Sequence, residues 1–382
     1  MSNRRERTLA TYTAIYNRRV TVPPPPTRVR IHGDEDARGA TLNFSVNVLD
    51  NMPPTWLQES LAKHIPTLSA YPDARLAQKV RTSIAQYHNV HPENVLLLNG
   101  AAEGFSLLPR LAQKPAIIHP GFSEPELIFH ESGVESDRII LQEPFKDLGG
   151  ISEQLQHNDN DMVIIGNPTN PTGVLHDREN IAELATHTRV GTQQKPLLVV
   201  DEAFLDIVPN GESYSMAAAI SSGEEHIIVL RSLTKTWGLA GLRIGYALAS
   251  TKLIAQLERG RMHWPLGSMQ LAAAAAVYER GITQLPQLQQ QVAKQREAMQ
   301  HSLSTAGFRL ASDSLAPFLL VKVPHPHPEP IRQALLQRGI AIRRCDTFPG
   351  LGVTYWRLAV REQSQVKAFL AAFAEESQRI VH

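Results

Sequence analysis

The chain has little of what announces many protein classes. A single cysteine, Cys345, stands among 382 residues, so no intrachain disulfide can form and a reducing cytoplasm is the expected setting. No apolar run reaches the ~18 residues of a membrane span. The polar N-terminus shows no charged segment leading into an apolar one, so neither a secretory signal nor a membrane partner is expected. Lys plus Arg number 38 against 37 Asp plus Glu, and a net charge near +1 gives no basis for binding nucleic acid. Nucleotide motifs are also missing: no G-x-G-x-x-G follows an early strand, and no G-x-x-x-x-G-K-[ST] loop exists. Neither H-E-x-x-H nor paired C-x-x-C occurs, and His325 and His327 alternate with prolines in what reads as a stiff loop, not a metal site. An enzyme acting on a small molecule is the class these absences leave open.

What is present has a rhythm. Residues 1 to about 40 are polar and broken by Pro23-Pro24-Pro25-Pro26, which reads as an extended arm or mobile tail. A helix is predicted after Pro72, capped by Asp73, with Leu76, Val80 and Ile84 on one face. Short aliphatic runs then alternate with helical stretches: Val95–Leu98, Ala116–Ile118, Met162–Ile165, Leu197–Val200 and Ile227–Leu230. Strands that are apolar throughout and separated by helices imply a mostly parallel sheet covered on both faces. A long helix over Pro286–Ser304 leads into a second unit with strands at Pro317–Val321, Ile340–Ile342 and Tyr355–Val360.

The ends of the first set of strands are polar. They read Asn99-Gly100-Ala101-Ala102-Glu103, Asn167-Pro168-Thr169-Asn170-Pro171-Thr172-Gly173, Asp201-Glu202-Ala203-Phe204 and Ser232-Leu233-Thr234-Lys235. In an open parallel sheet the carboxyl ends of the strands form the ligand crevice. Lys235 there, flanked by two hydroxyls and followed eight positions later by Arg243, offers an amine for a Schiff base and donors for a phosphate ester.

These motifs, N-P-T-N-P-T-G, D-E-A-F, S-L-T-K and G-L-R-x-G-Y, occur in the order of the fold-type I pyridoxal-phosphate enzymes. The chain resembles that class I/II aminotransferase superfamily from about residue 42 to 375. Within it, the chain is similar to cobalamin-pathway threonine-phosphate decarboxylases and to histidinol-phosphate aminotransferases. The resemblance implies an α/β fold: a large cofactor domain with a mostly parallel seven-stranded sheet over residues 67–270, and a smaller α+β domain. The smaller domain would combine residues 41–66 with 271–382.

It also implies roles. Lys235 would bind pyridoxal 5'-phosphate and carry a proton; Asp201 would keep the ring nitrogen protonated; Asn170 would donate to the ring's 3-oxygen. The phosphate would fall to Ser232, Thr234, Arg243 and the amides of Ala101 and Ala102, two positions where many relatives carry a hydroxyl. Phe122 would stack on the ring, and Tyr71 would reach the phosphate of a neighbouring subunit, making a homodimer with shared sites. Arg357 would clamp a substrate carboxylate and Arg343 a substrate phosphate, with Arg344 and Arg361 as rivals for the second anion. Asn47 lies in the substrate-facing Asn43-Phe44-Ser45-Val46-Asn47.

The reaction depends on which bond stands perpendicular to the cofactor ring. Phe204 replaces the tyrosine of most transaminases, and the Asn43–Asn47 segment matches the F-S-x-N opening of the decarboxylases. Both favour loss of CO2 from L-threonine O-3-phosphate. However, Val48-Leu49-Asp50-Asn51 replaces the Asn-Pro that normally follows. Transamination of histidinol phosphate with 2-oxoglutarate is the alternative, and a cofactor-binding protein without catalysis is the third.

Overall fold

The computed structural model describes residues 37–189 and 194–380. The arm expected around Pro23–Pro26 lies outside the described residues. The principal sheet contains β2 (Val95–Leu98), β3 (Pro115–His119), β4 (Asp137–Ile140), β5 (Met162–Gly166), β6 (Leu197–Asp201), β7 (Ile227–Ser232) and β8 (Gly245–Ala249). Their spatial order is β2-β8-β7-β6-β5-β3-β4. Pairing is parallel from β7 through β6, β5 and β3 to β4, whereas β8 runs antiparallel to both β7 and β2.

The aliphatic runs explain this sheet. Val199, Ile228 and Leu230 pack into one buried layer, and Val200, Val229 and Leu248 into the other. Alternate side chains of one strand thus serve opposite faces, each covered by helices. One covering helix is Ala74–His88, where the Asp73 side chain accepts from the Arg75 amide and Val80 and Ile84 are buried. Two of the seven strands carry no long apolar signal. β8 is Gly-Tyr-Ala-Leu-Ala, and β4 is an edge strand beginning Asp-Arg.

A second unit contains the antiparallel sheet β12-β13-β10-β9, made of β9 (Arg309–Leu310), β10 (Phe318–Lys322), β12 (Arg343–Arg344) and β13 (Tyr355–Ala359). Helices Leu285–Thr305, Pro328–Gln337 and Gln363–Ile380 accompany it. The segment after residue 40 joins it: β1 (Leu42–Asn43) pairs in parallel with β11 (Ile340–Ala341), and Phe44 packs 5.1 Å from Phe369. Phe44 thus shares a core with the C-terminal strands and helices, whereas Leu57 of helix Thr55–His64 and Leu271 and Ala273 of helix Ser268–Ala276 pack into the layer of Val200 and Val229 under the principal sheet. No described helix is long and apolar enough to cross a membrane, and no described cluster of His, Cys, Asp or Glu could hold a metal.

Candidate active site

Register places the polar strand ends side by side. Gly166 of β5 stands opposite Asp201 of β6, Asp201 opposite Leu230 of β7, and Ser232 of β7 opposite Gly245 of β8. Because β8 runs the other way, its first residues share an edge with the last residues of its neighbours. This inversion brings Arg243 to the crevice.

Around Arg243 the backbone is built for close approach. Gly100 has φ +76°, and a Cβ there would lie 3.1 Å from Arg243 Nη2. A Cβ on Gly245 would lie 2.8 Å from the Ala101 amide nitrogen. Gly100 caps the helix Ala101–Leu107 and no side chain covers its first amides, so the amides of Ala101 and Ala102 stay open beside the guanidinium. Ser232 and Thr234 are both buried and their hydroxyls lie 2.6 Å apart. Two hydroxyls, open amides and a cation form a donor set suited to a phosphate ester, with glycine where a side chain would fill it.

Lys235 is half-buried on the turn that follows β7. Burial raises the Asp201 carboxyl to about 6, while the Ala203 amide, 3.1 Å away, and the Lys235 charge pull the other way. A partly buried carboxylate with so little compensation fits a protonated ring nitrogen as a partner. Phe122 is half-buried against the core beside Phe105, at 6.3 Å between ring centres.

The other wall comes from the second unit. Arg357 Nη1 donates to Asn170 Oδ1 at 2.8 Å, and Nη2 donates to the Ser45 carbonyl. Occupying Oδ1 in this way leaves the Asn170 amide nitrogen as the group that can donate into the crevice. Arg343 faces Arg357 across the β12–β13 pair, donates to Thr347 Oγ1 at 2.8 Å and lies over the Phe348 ring. Burial, then the charges of Arg343 and Arg361, hold Arg357 down to about 9.

Arg361 has a different task from its two neighbours. It donates to the carbonyls of Asn43, Val46, Val48 and Val360 and lies 3.4 Å from Asp50. That stapling holds the N-terminal segment over the site. Arg344 is tied to Asp346. Asn47 sits on the stapled segment, 5% exposed, with neither amide atom hydrogen-bonded. Such a group asks for a ligand. Tyr71 stands apart, 76% exposed and stacked on Trp264 at 4.5 Å between ring centres.

Two supporting residues carry no motif. Gln270 donates to the Arg243 carbonyl and to Asn99 Oδ1, both at 2.8 Å. Arg261 binds Glu103, which in turn accepts from the Asn99 amide. Gln270 reaches Asn99 across 171 positions and Arg261 reaches Glu103 across 158, so only folding reveals these contacts.

The model of the family described as aminotransferase class I and II matches residues 40–373. The chain belongs to that family. It is an enzyme, and the family's cofactor is pyridoxal phosphate. A Mycobacterium tuberculosis protein named histidinol-phosphate aminotransferase is 40% identical over 357 residues, 93% of each chain. The threonine-phosphate decarboxylase of Salmonella typhimurium is 30% identical over 350 residues, covering 87% of this chain and 90% of that one. Among solved structures, the Sinorhizobium meliloti histidinol-phosphate aminotransferase in complex with pyridoxal-5'-phosphate has a TM-score of 0.80 at 19% identity, covering 93% of this chain and 96% of that one.

Proposed function

We propose that this enzyme acts on a small amino acid bearing a phosphate, and that decarboxylation of L-threonine O-3-phosphate is its reaction. The observation that carries this reading is the pair Arg343 and Arg357, buried side by side on β12 and β13 with cationic neighbours. Planar guanidiniums grip carboxylates and phosphates through paired N–H donors. Arg357 takes a carboxylate and Arg343 a phosphate, with the unsatisfied amide of Asn47 as a further ligand.

The cofactor fits the opposite wall. Arg243, Ser232, Thr234 and the Ala101 and Ala102 amides hold its phosphate, Asp201 its ring nitrogen, Asn170 its ring oxygen and Phe122 its face. When bound, pyridoxal phosphate supplies the electron-accepting ring that lets a bond at the substrate's amine-bearing carbon break. Lys235 would hold the cofactor through Nζ, and the same atom would serve as the proton carrier. Arg357 grips both Asn170 and the substrate carboxylate, so it sets the orientation of the bond to be broken. Phe204, packed edge-on against Phe318 at 4.9 Å, offers no phenol to the ring oxygen, which leaves that task to Asn170.

The enzyme works as a homodimer in the cytoplasm, with the partner's Tyr71 completing each phosphate site. Supporting this, Ile65, Leu68, Tyr71, Met262 and Trp264 are all large, apolar and exposed within two neighbouring segments. A second reading, transamination of histidinol phosphate, is favoured by the name of the relative at 40% identity. Purified protein is given threonine phosphate and assayed for CO2, then histidinol phosphate with 2-oxoglutarate and assayed for glutamate. CO2 alone supports the proposal, glutamate alone the second reading, and neither product with cofactor bound overturns both and points to another substrate.

A further inference from the structure

On the side of β6 and β7 opposite Ser232 lies a buried charge cluster that touches neither cofactor nor substrate groups. Arg231 is 0% exposed. Its Nε donates to Glu202 Oε2 at 2.8 Å, its Nη1 to Asp206 Oδ1 at 2.6 Å, and its Nη2 lies 2.8 Å from Glu212 Oε1 and donates to Ser215 Oγ at 3.0 Å. Glu202 is held further by the Ser215 hydroxyl and the Met216 amide, each at 2.8 Å. The remaining groups facing the cluster are His88, 3.3 Å from Glu212, then Tyr246, Tyr278 and Tyr87.

Three carboxylates share one guanidinium, and burial pushes the His88 imidazole down against the opposing pull of Glu212. Burial pushes Glu202 up to about 7 and Asp206 to about 6 against the pull of Arg231. For Glu212, burial acts in the same upward sense, but Arg231 and His88 outweigh it and hold that group at about 2. Buried ionic groups of this kind give poor stability for their desolvation cost, so packing alone does not account for the cluster.

Its position suggests what does. Glu202 follows Asp201 directly, and Arg231 precedes Ser232 directly. Successive strand residues face opposite ways, so Arg231 turns from the crevice while Ser232 faces it. We propose that Glu202 and Arg231 are positioning residues: their ion pair clamps the end of β6 to the end of β7 and thereby fixes Asp201 relative to Ser232, Thr234 and Lys235. Neither residue touches the cofactor; each acts through its chain neighbour. The inference rests on the cofactor site proposed above.

The test compares E202Q with E212Q in full-length holoenzyme. Both remove a carboxylate 2.8 Å from the same guanidinium, but only Glu202 adjoins a cofactor ligand. E202Q is expected to raise the pyridoxal-phosphate Kd about fivefold or more and to move the pH midpoint of the bound cofactor's visible band by about half a unit. E212Q is expected to lower the melting temperature comparably while leaving the Kd within about twofold and the midpoint in place. Should either variant fail to fold, E202D and E212D replace the pair in the same comparison. Equal effects of the two substitutions on Kd and midpoint, or none from either, overturn the proposal and leave a structural cluster. K235A, run alongside, separates the failures: if it keeps the band, the cofactor site itself was misassigned.

Discussion

Asp201→Asn should stabilise the cofactor-free protein while weakening the loaded one. Burial raises this carboxyl from an ordinary 3.8 to about 6, so its ionised form is disfavoured by roughly 3 kcal/mol. Partial exposure through the mouth of the crevice reduces that to about 1–2 kcal/mol. The sign follows from linkage: a raised folded pKa means the native state holds a proton that the unfolded chain has already released. The carboxyl carries no penalty below about pH 4; the penalty grows as pH rises toward 6 and is complete above it. Urea unfolding of apo D201N and the parent at pH 7.5 should therefore favour Asn by about 1–2 kcal/mol, with the gap closing near pH 4. Adding pyridoxal phosphate should reverse the order at pH 7.5, because only the parent offers an anion to the ring nitrogen. An apo D201N less stable than the parent at pH 7.5, or a gap of the same size at pH 4, would refute the reasoning.

Other expectations follow from the same geometry. Gly100→Ala meets both a φ of +76° and the Arg243 guanidinium, and should cost about 1–2 kcal/mol of cofactor affinity, read by equilibrium dialysis. Arg357→Lys cannot hold Asn170 and Ser45 together, so KM for a carboxylate-bearing substrate should rise about tenfold or more. Arg343→Met should impair turnover of phosphorylated substrate far more than that of the unphosphorylated amino acid, measured as the ratio of kcat/KM values. Trp264→Glu should shift the protein toward monomer in sedimentation velocity and lower cofactor retention, since Trp264 backs Tyr71.

Much of the candidate site was legible because its polar groups are clustered in sequence. Each strand's apolar run stops where a polar group must face the crevice, and this marked Asn170, Asp201 and Lys235 without a contact map. β8 was not visible in the same way. Its Gly-Tyr-Ala-Leu-Ala is as long as β5 but carries too few large aliphatic residues to signal a strand, and its antiparallel direction, which delivers Arg243, depends on pairing with β2 and β7. The division of labour among the arginines was also hidden. Arg343, Arg344 and Arg361 look equivalent on paper, yet Arg344 is held by Asp346 and Arg361 is spent on four backbone carbonyls. Gln270 and the Arg231 cluster rest on contacts between distant segments and carry no local pattern.

The most direct test is borohydride reduction of protein loaded with pyridoxal phosphate, followed by peptide mass analysis. The cofactor should be found as a stable adduct on Lys235, with loss of the visible absorbance. Protein that stays colourless when the cofactor is supplied, or an adduct on any other lysine, would contradict the account.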